Sequence, residues 1–267
     1  MKKGFVIFTD LKYLPIVENL IDSVLLFSKY NIELNCINFL KEFDNPRIKS
    51  RKIDMPNPHF FNITRCKIIA TINSDFDYGL LLDGDMIVTK EIDQIFDDNE
   101  EKIKKVKCPL FCKHPHNPFK RYKHIFKKLT NKKPKMKYVY SHYLFLKSQK
   151  WFFEETLSIM NNILSKNLHN DFYPIPEESI MNAQLCNYEV NYDMGYCYHI
   201  NGFPECFEYY LNPESEEGKK GQKHVEETYL DYNCPVKIYA FHGHKIKDIN
   251  VGKNLINQMR HHNGKNH

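Results

Sequence analysis

Two carboxylates separated by a single glycine follow an apolar run in the stretch YGLLLDGDMIV, residues 78–88. Charged groups beside a buried strand are costly unless a counter-charge neutralises them. Hard carboxylate oxygens that converge on one point suit Mg²⁺ or Mn²⁺. Asp83 and Asp85 therefore predict a divalent-metal site at the end of a strand, where Gly84 lets the backbone pass close to a ligand.

The spacing of these carboxylates is weak evidence without its context. A chain with 15 Asp in 267 residues is expected to contain about one Asp-x-Asp by chance. A second pair, Asp75 and Asp77, lies in the polar stretch NSDFDYG and is predicted to be a solvated loop. What distinguishes Asp83 and Asp85 is their position directly after an apolar strand.

Alternating strands and helices precede the two carboxylates. Apolar periodicity predicts a strand that stops at Thr9 and Asp10, a helix over 13–30, a strand over 32–39, a helix over 63–72 and a strand over 80–82. This alternation favours a parallel sheet covered by helices. Because ligands of such sheets bind beyond the carboxyl ends of the strands, Asp10 and the Asp83/Asp85 pair are predicted to face one crevice.

Four further elements are predicted in the second half of the chain. They are a strand over 138–146, an amphipathic helix over 151–164, a short helix over 177–185 and a strand over 236–241 that runs into FHGHK. Glu177 and Glu178 lie in the first turn of the short helix, where negative charge suits the helix dipole.

Composition bounds the class of protein. Hydrophobic residues make up 42% of the chain and aromatic residues 14%, which predicts a globular fold. The sequence shows no apolar run long enough for a membrane span and no secretion signal, and its eight cysteines lack zinc-site spacing. The predicted location is the cytoplasm, with reduced thiols.

The net charge of +5 is concentrated in one segment. Residues 102–137, here called the basic segment, contain 14 Lys or Arg and no Asp or Glu. One interpretation is a solvated insertion; the other is a patch that holds a lipid headgroup or an acidic glycan, which would place the protein peripherally at a membrane surface. No zinc-finger, homeodomain or RNA-binding pattern accompanies the segment, so nucleic acid is not a predicted partner.

Four stretches in order, over 9–31, 60–72, 78–96 and 241–245, resemble the GT-A type nucleotide-sugar glycosyltransferases, and most closely glycosyltransferase family 8. The family pattern has an Asp-x-x-Tyr segment after the first strand, a Ser near the end of the next helix and an Arg on the helix before its Asp-x-Asp strand. The matching residues here are Asp10, Tyr13, Ser23 and Arg65. The resemblance implies a GT-A type Rossmann-like mixed sheet flanked by helices, as a single domain with a basic insertion.

The resemblance also implies an activity: metal-dependent transfer of a hexose from a UDP-sugar to an acceptor hydroxyl, with retention of configuration. The acceptor would be a glycan, a lipid-linked molecule or a protein. The resemblance divides the chain into a nucleotide-sugar-binding half over 1–100, an acceptor and catalytic half over 101–250 with the basic segment, and a polar tail over 251–267.

Site residues follow from the matched positions. The donor would be bound by Thr9, Asp10, Tyr13, Arg65, Asp83, Gly84, Gly243 and Lys245. Tyr13 would stack on the base while Asp10 reads its edge; the alternatives are that Tyr13 packs in the core and that Asp10 is a plain N-cap. Mn²⁺ or Mg²⁺ would be held by Asp83, Asp85 and a C-terminal histidine. The tight spacing of FHGHK leaves both His242 and His244 open as that ligand.

The catalytic assignments rest on two stretches. Lys245 would stabilise the charge of the departing diphosphate. The family's Asp-Gln-Asp segment is matched by EESIMN, with Glu177 and Glu178 at its first two positions and Ser179 at the third. The Asn-Ser-Gly strand is matched only by Ser141, which His142 follows. If the chemistry is inverting instead, Glu177 or Glu178 is the predicted general base.

Two other functions compete with glycosyl transfer. Haloacid-dehalogenase-like phosphatases also place Asp-x-Asp after an apolar strand, although nearer the N-terminus and with Thr or Val where this chain has Ile87. A non-catalytic protein that binds sugar or anionic lipid would need only the basic segment. The ligand that binds discriminates among the three functions. A glycosyltransferase needs UDP with Mn²⁺, a phosphatase needs a phosphoester with Mg²⁺, and a binding protein needs neither.

Overall fold

The computed structural model describes residues 1–89, 91–113, 123–130, 139–172, 176–188, 194, 199–201, 214–229, 238–240, 252–254, 256–257 and 259–260. Its strands are β1 (Lys3–Thr9), β2 (Asn31–Ile37), β3 (Ile48–Ile53), β4 (Tyr78–Leu82), β5 (Met86–Val88), β6 (Leu110–Lys113), β7 (Val139–Leu146), β8 (His199–Asn201) and β9 (Ile238–Ala240). Its helices are α1 (Leu14–Phe27), α2 (Phe60–Ile72), α3 (Gln94–Lys105), α4 (Lys123–Leu129), α5 (Lys150–Ser165), α6 (Pro176–Leu185) and α7 (Glu216–Tyr229).

The described strands form two sheets. The larger has six strands in the order β3-β2-β1-β4-β7-β6, and the smaller has three in the order β5-β9-β8. In the larger sheet β3, β2, β1 and β4 are parallel, whereas β7 and β6 are antiparallel to their neighbours. The parallel sheet expected from the alternation of strands and helices is therefore correct for four strands, and the sheet as a whole is mixed.

The described residues group into two compact units. The first comprises residues 1–11, 30–82 and 96–194 and contains the six-stranded sheet with α2, α4, α5 and α6. The second comprises residues 12–29, 83–95 and 195–267 and contains α1, the three-stranded sheet and α7. Both are discontinuous along the chain, so compactness divides the sequence differently from the functional halves 1–100 and 101–250, which stay a prediction.

Apolar runs in the sequence become the central strands of the six-stranded sheet. Phe5, Val6 and Ile7 of β1 and residues 80–82 of β4 are fully buried, as expected for parallel strands with both faces covered. Ile7 lies opposite Leu82 in the parallel pair, so the carboxyl ends of β1 and β4 lie at the same edge of the sheet. The edge strand β3 is largely polar (IKSRKI), and for that reason its apolar pattern did not predict it.

An aromatic cluster packs the helices of the first unit against β7. The rings of Tyr143 and Phe153 stack with centroids 4.6 Å apart, and Phe111 meets Tyr143 edge-on at 5.4 Å. The Tyr143 hydroxyl lies 2.8 Å from Oγ1 of Thr71 on α2, and both residues are buried. These contacts hold α2 and α5 in fixed positions relative to the sheet.

Predicted element boundaries are close to those observed. Helix α1 begins at Leu14 with Pro in its first turn and ends at Phe27, where Ser28 turns extended. The predicted strand over 236–241 is β9 in its described part, but it belongs to the three-stranded sheet. The described part of the basic segment contains the end of α3, strand β6 of the main sheet and helix α4, so this part belongs to the fold.

Candidate functional site

The carboxylates Asp83 and Asp85 lie in a tight turn that immediately follows β4. The backbone N–H of Met86 donates to the Asp83 carbonyl over 3.1 Å, which closes the turn around Gly84. All three turn residues are partly exposed, although β4 before them and β5 after them are buried. Two carboxylates thus stand at an accessible turn between apolar strands, as the metal-site prediction requires.

The end of this turn is fixed to α1 through Ser23. The Ser23 hydroxyl accepts a hydrogen bond from the Val88 N–H of β5 over 3.0 Å and donates to the Leu20 carbonyl over 2.7 Å. Ser23 and Val88 are both fully buried. Ser23 was matched to the family pattern as the serine near the end of the first helix, and its observed role is to anchor the strand that follows Asp85.

The other Asp-x-Asp pair has ordinary partners on the surface. Asp75 is exposed and pairs with Lys49 over 2.7 Å and with Arg51, and the Lys49 contact is the main reason that its pKa lies below the usual range. Asp77 accepts a hydrogen bond from the Lys2 backbone N–H over 2.8 Å. The prediction that this pair lies in a loop is confirmed.

The residues predicted to read the nucleoside base lie around the start of α1. Thr9 is buried at the end of β1, and its hydroxyl donates to the Asp10 carbonyl over 2.9 Å. Tyr13 occupies the N-cap position of α1, so the alternative that Asp10 is the N-cap is wrong. Tyr13 is 42% exposed, so the alternative that it packs in the core is also wrong. An exposed ring is what stacking on a base requires.

Arg65 connects two helices of the first unit. One guanidinium nitrogen donates to Asn62 over 2.9 Å on the same helix, and the other donates to Asn161 on α5 over 2.5 Å. Burial lowers the pKa of this guanidinium. Its observed bonds are structural, and its predicted contact with the donor stays a prediction.

The first turn of α6 carries the acidic pair that was predicted to face the sugar. Glu177 is buried, whereas Glu178 is partly exposed. Asn182, one turn later, fixes the helix: its side chain accepts from the Val139 N–H and donates to the Val139 carbonyl, each over 2.9 Å, and also donates to the Glu178 carbonyl over 2.8 Å. Helix α6 is therefore locked to β7, and its first turn is rigidly placed.

One charged partner of Glu177 was missed from the sequence. Lys67 on α2 lies with its ammonium 3.5 Å from Glu177 Oε1, and both side chains are almost completely buried. Its sequence signal was available, because Lys67 lies one turn after Ile63 and one turn before Ala70, on the predicted apolar face of α2. A lysine on a buried helix face needs an anionic partner, but the sequence does not say which one.

Several predicted site residues lie outside the described residues: His242, Gly243, His244 and Lys245. Ser141 lies in β7, but its side chain is outside the described part of the structure. His142, the next residue, is buried. Within the described ranges no group of three or more His, Cys, Asp or Glu residues is placed to hold a metal ion. Asp83 and Asp85 are two of the predicted ligands, and the predicted third, His242 or His244, is among the residues not described.

Thiol chemistry is disfavoured at the buried cysteines. Burial raises the pKa of Cys66 to about 12 and that of Cys108 to about 11, so both stay protonated and unreactive near neutral pH.

In the described part of the chain, no helix combines the length and the apolar character needed to cross a membrane.

Solved structures share this arrangement of strands and helices. The galactosyltransferase LgtC, solved in complex with donor and acceptor sugar analogs, superimposes with a TM-score of 0.58 at 12% sequence identity, covering 95% of each chain. An active-site mutant of LgtC gives the same values. The apo-form glycosyltransferase GlyE of Streptococcus pneumoniae TIGR4 matches with a TM-score of 0.54 at 14% identity.

The coverage of these matches differs. The GlyE match includes 100% of this chain but 64% of GlyE, so this chain spans less than two thirds of that protein. No protein family model and no curated protein sequence matches the chain. At these identities the similarity establishes the fold, and it confirms the predicted fold class: this chain has the GT-A type fold of the glycosyltransferase LgtC.

Proposed function

We propose that the protein is a metal-dependent glycosyltransferase that moves a hexose from a UDP-sugar to an acceptor hydroxyl, with retention of configuration. The observation that carries this proposal is the accessible turn Asp83–Gly84–Asp85 directly after β4, in a chain with the fold of LgtC. LgtC was solved with donor and acceptor sugar analogs. The shared fold favours glycosyl transfer over the phosphatase and over a binding protein that relies on the basic segment alone.

Asp83 and Asp85 suit Mn²⁺ or Mg²⁺, because both are partly exposed carboxylates, held beside each other in one tight turn. His242 or His244 is the proposed third ligand. When bound, the ion neutralises charge on the diphosphate of the donor. Without it, two adjacent carboxylates would repel the diphosphate, so nucleotide binding is expected to need the metal.

The remaining donor contacts are assigned from the matched positions. Tyr13 supplies an exposed ring for the base and Asp10 supplies a polar group for its edge. The diphosphate and the sugar are assigned to the group Thr9, Arg65, Gly84, Gly243 and Lys245. Lys245 stabilises the charge that develops on the leaving diphosphate.

Glu177 and Glu178 are assigned to the sugar and acceptor side of the reaction. Asn182 holds their helix to β7, which gives them the fixed placement that catalysis requires. In a retaining reaction they position hydroxyl groups of the sugars. In an inverting reaction, Glu178, the more exposed of the two, can deprotonate the acceptor hydroxyl.

Calorimetry with UDP in the presence of Mn²⁺, Mg²⁺ or EDTA tests the proposal. Wild-type protein is expected to bind UDP only with a divalent cation, and Asp85→Ala is expected to bind it much more weakly. Asp77→Ala is the matched control, because Asp77 is the second carboxylate of the surface Asp-x-Asp pair. Equal UDP binding in EDTA, or equal losses in the two variants, contradicts a metal site at Asp83 and Asp85.

The donor sugar is to be found with a panel of UDP-sugars. A thermal-shift panel run with Mn²⁺ is expected to show one UDP-sugar that stabilises most, since a ligand at 100 times its Kd adds about 2.7 kcal/mol. Stabilisation by phosphoesters with Mg²⁺ instead would favour the phosphatase.

We further propose that the basic segment binds an anionic acceptor or membrane surface on the cytoplasmic side. Lys127 on α4 is exposed, whereas Lys128 is paired with Asp171 over 2.6 Å. Replacement of Lys127, Lys132 and Lys133 by Ser is expected to weaken binding to vesicles that contain phosphatidylserine and to spare UDP binding. Wild-type binding should fall steeply between 0.1 and 1 M salt, where the Debye length shrinks from about 10 Å to about 3 Å. Unchanged vesicle binding would contradict this proposal.

A further inference from the structure

The ion pair between Lys67 and Glu177 is buried inside the first unit. Lys67 is 2% exposed and Glu177 is 7% exposed. The ammonium lies 3.5 Å from Glu177 Oε1 and 5.9 Å from the centre of the Phe8 ring of β1. A buried pair of this kind is costly to desolvate, and hydrophobic residues of similar size often give equal or better stability. Stability therefore does not explain why the chain places two charges here.

The second carboxylate oxygen of Glu177 points to a function. Within the described part of the chain, Oε2 is buried and has no hydrogen-bond partner, while Oε1 faces Lys67. Most buried polar atoms have a partner, so a carboxylate oxygen in this position calls for an explanation. An ionised carboxylate can only accept hydrogen bonds, which means that the partner of Oε2 must be a donor.

The surroundings make Glu177 a fixed acceptor. Asn182 bonds both the N–H and the carbonyl of Val139, so α6 is held to β7 and its first turn has little freedom to move. Lys67 lies on α2, which is itself fixed to β7 through Thr71 and Tyr143. Two rigid elements therefore set the distance between the ammonium and the carboxylate.

We propose that Lys67 is a positioning residue for Glu177: it holds Oε1, and thereby presents Oε2 to a hydroxyl group of the sugar that is transferred or of the sugar that accepts it. A sugar hydroxyl is a neutral donor that completes the hydrogen bonding of Oε2 without adding charge beside the ion pair. The inference deepens the proposed glycosyltransferase function and rests on it for the identity of the ligand.

A kinetic double-mutant cycle tests this role. Lys67→Met keeps an unbranched apolar stem of about the same length as the lysine alkyl chain and removes the ammonium; Glu177→Gln keeps the shape and removes the carboxylate. With Mn²⁺ and UDP-galactose or UDP-glucose, Lys67→Met is expected to lower kcat roughly 10- to 100-fold through misplacement of Glu177, while KM for the donor stays within about twofold. In the Glu177→Gln background, Lys67→Met is expected to change kcat by less than about twofold, because the group that it positions is already lost.

Lys150→Met is the matched control in the same unit. The Lys150 ammonium donates to the carbonyls of Ile72 and Ser74, over 2.5 Å and 2.6 Å. Its loss is expected to affect stability but not the kcat of hydrolysis. Comparing hydrolysis of the UDP-sugar with transfer to methyl glycosides locates the hydroxyl: a loss in both reactions assigns it to the donor sugar, and a loss in transfer alone assigns it to the acceptor.

Thermal unfolding of the same variants tests the pairing without any substrate. Removal of one partner leaves a buried charge, so each single variant is expected to unfold on the order of 10 °C below the wild type. The double variant is expected to unfold at a higher temperature than Lys67→Met. Additive losses overturn the ion pair as the link between the two residues.

The two proposals fail in different ways. If the wild type turns over UDP-sugars and Lys67→Met lowers kcat equally with and without Glu177, Lys67 does not act through Glu177 and the inference is overturned. If the wild type neither binds nor turns over any UDP-sugar, the proposed function is overturned and the sugar hydroxyl with it, while the unfolding cycle still decides whether Lys67 and Glu177 are coupled.

Discussion

Replacement of Ser23 by alanine should destabilise the protein through one backbone group. The Ser23 hydroxyl accepts the Val88 N–H over 3.0 Å, and neither residue is accessible to water. Alanine leaves that N–H buried without an acceptor, which costs about 1–3 kcal/mol. The second bond, to the Leu20 carbonyl over 2.7 Å, matters less because that carbonyl lies inside α1 and has a donor one turn later.

Ser165 provides a matched control for this substitution. Its hydroxyl donates to the carbonyl of Asn162, three residues earlier on α5, just as Ser23 donates to that of Leu20, but it lies on an exposed part of the helix. Ser165→Ala is therefore expected to change stability by less than about 0.5 kcal/mol. The difference between the two variants isolates the Val88 hydrogen bond.

Thermal unfolding measures both variants. A loss of 1 kcal/mol lowers Tm by about 2–4 °C for a chain of this size, so Ser23→Ala should melt measurably below Ser165→Ala. Because β5 directly follows Asp85, Ser23→Ala is also expected to weaken Mn²⁺-dependent UDP binding. Equal Tm values in the two variants would refute the argument that this buried hydrogen bond anchors the strand.

Three other perturbations have defined outcomes. Tyr13→Ala should weaken UDP binding by about 1–3 kcal/mol in calorimetry with little change in Tm, since the ring is 42% exposed. A variant that unfolds but binds UDP with unchanged affinity in its folded fraction would contradict stacking. Asn182→Ala should cost at least about 2 kcal/mol in urea denaturation, because it unpairs both backbone groups of Val139; a smaller loss would mean that α6 is held elsewhere. Partial desolvation, together with the nearby His169 and Arg65, holds the pKa of the largely exposed His59 below its usual value, so the unfolded chain takes up the proton first and stability falls as pH drops below about 6.5. His59→Gln should therefore lose less Tm between pH 7.5 and pH 5.5 than the wild type, and identical losses would argue against this role.

Periodicity identified the elements that build the sheet because their environment is uniform. Strands β1 and β4 are buried on both faces, so their sequences are apolar runs, and α1 and α5 each present one apolar stripe. The edge strand β3 consists mostly of polar residues, so its sequence resembles that of a loop. The antiparallel direction of β7 was hidden as well, because a buried strand is apolar whichever way it runs.

Local sequence also marked the candidate metal site. Asp83, Gly84 and Asp85 follow the apolar run of a buried strand, and this change from apolar to polar residues can be read from the sequence alone. The surface pair Asp75/Asp77 has the same spacing, yet it lies in a loop, where Asp75 is ion-paired with Lys49 and Arg51 and Asp77 accepts from the Lys2 backbone N–H. Context along the chain was sufficient to separate the two pairs.

The sequence by itself thus determined β1, β2, β4 and β7, the helices α1, α2, α5 and α6, the turn with its two carboxylates and the position of Glu177 in the first turn of a helix, because each depends on neighbours within a few residues. Tertiary structure alone decided that Ser23 holds β5, that Arg65 bridges two helices and that Lys67 pairs with Glu177. Lys67 and Glu177 are 110 positions apart, and no local pattern relates them. Only the packing of α2 and α6 brings their charges together in the interior, where the interaction is stronger than it would be in water.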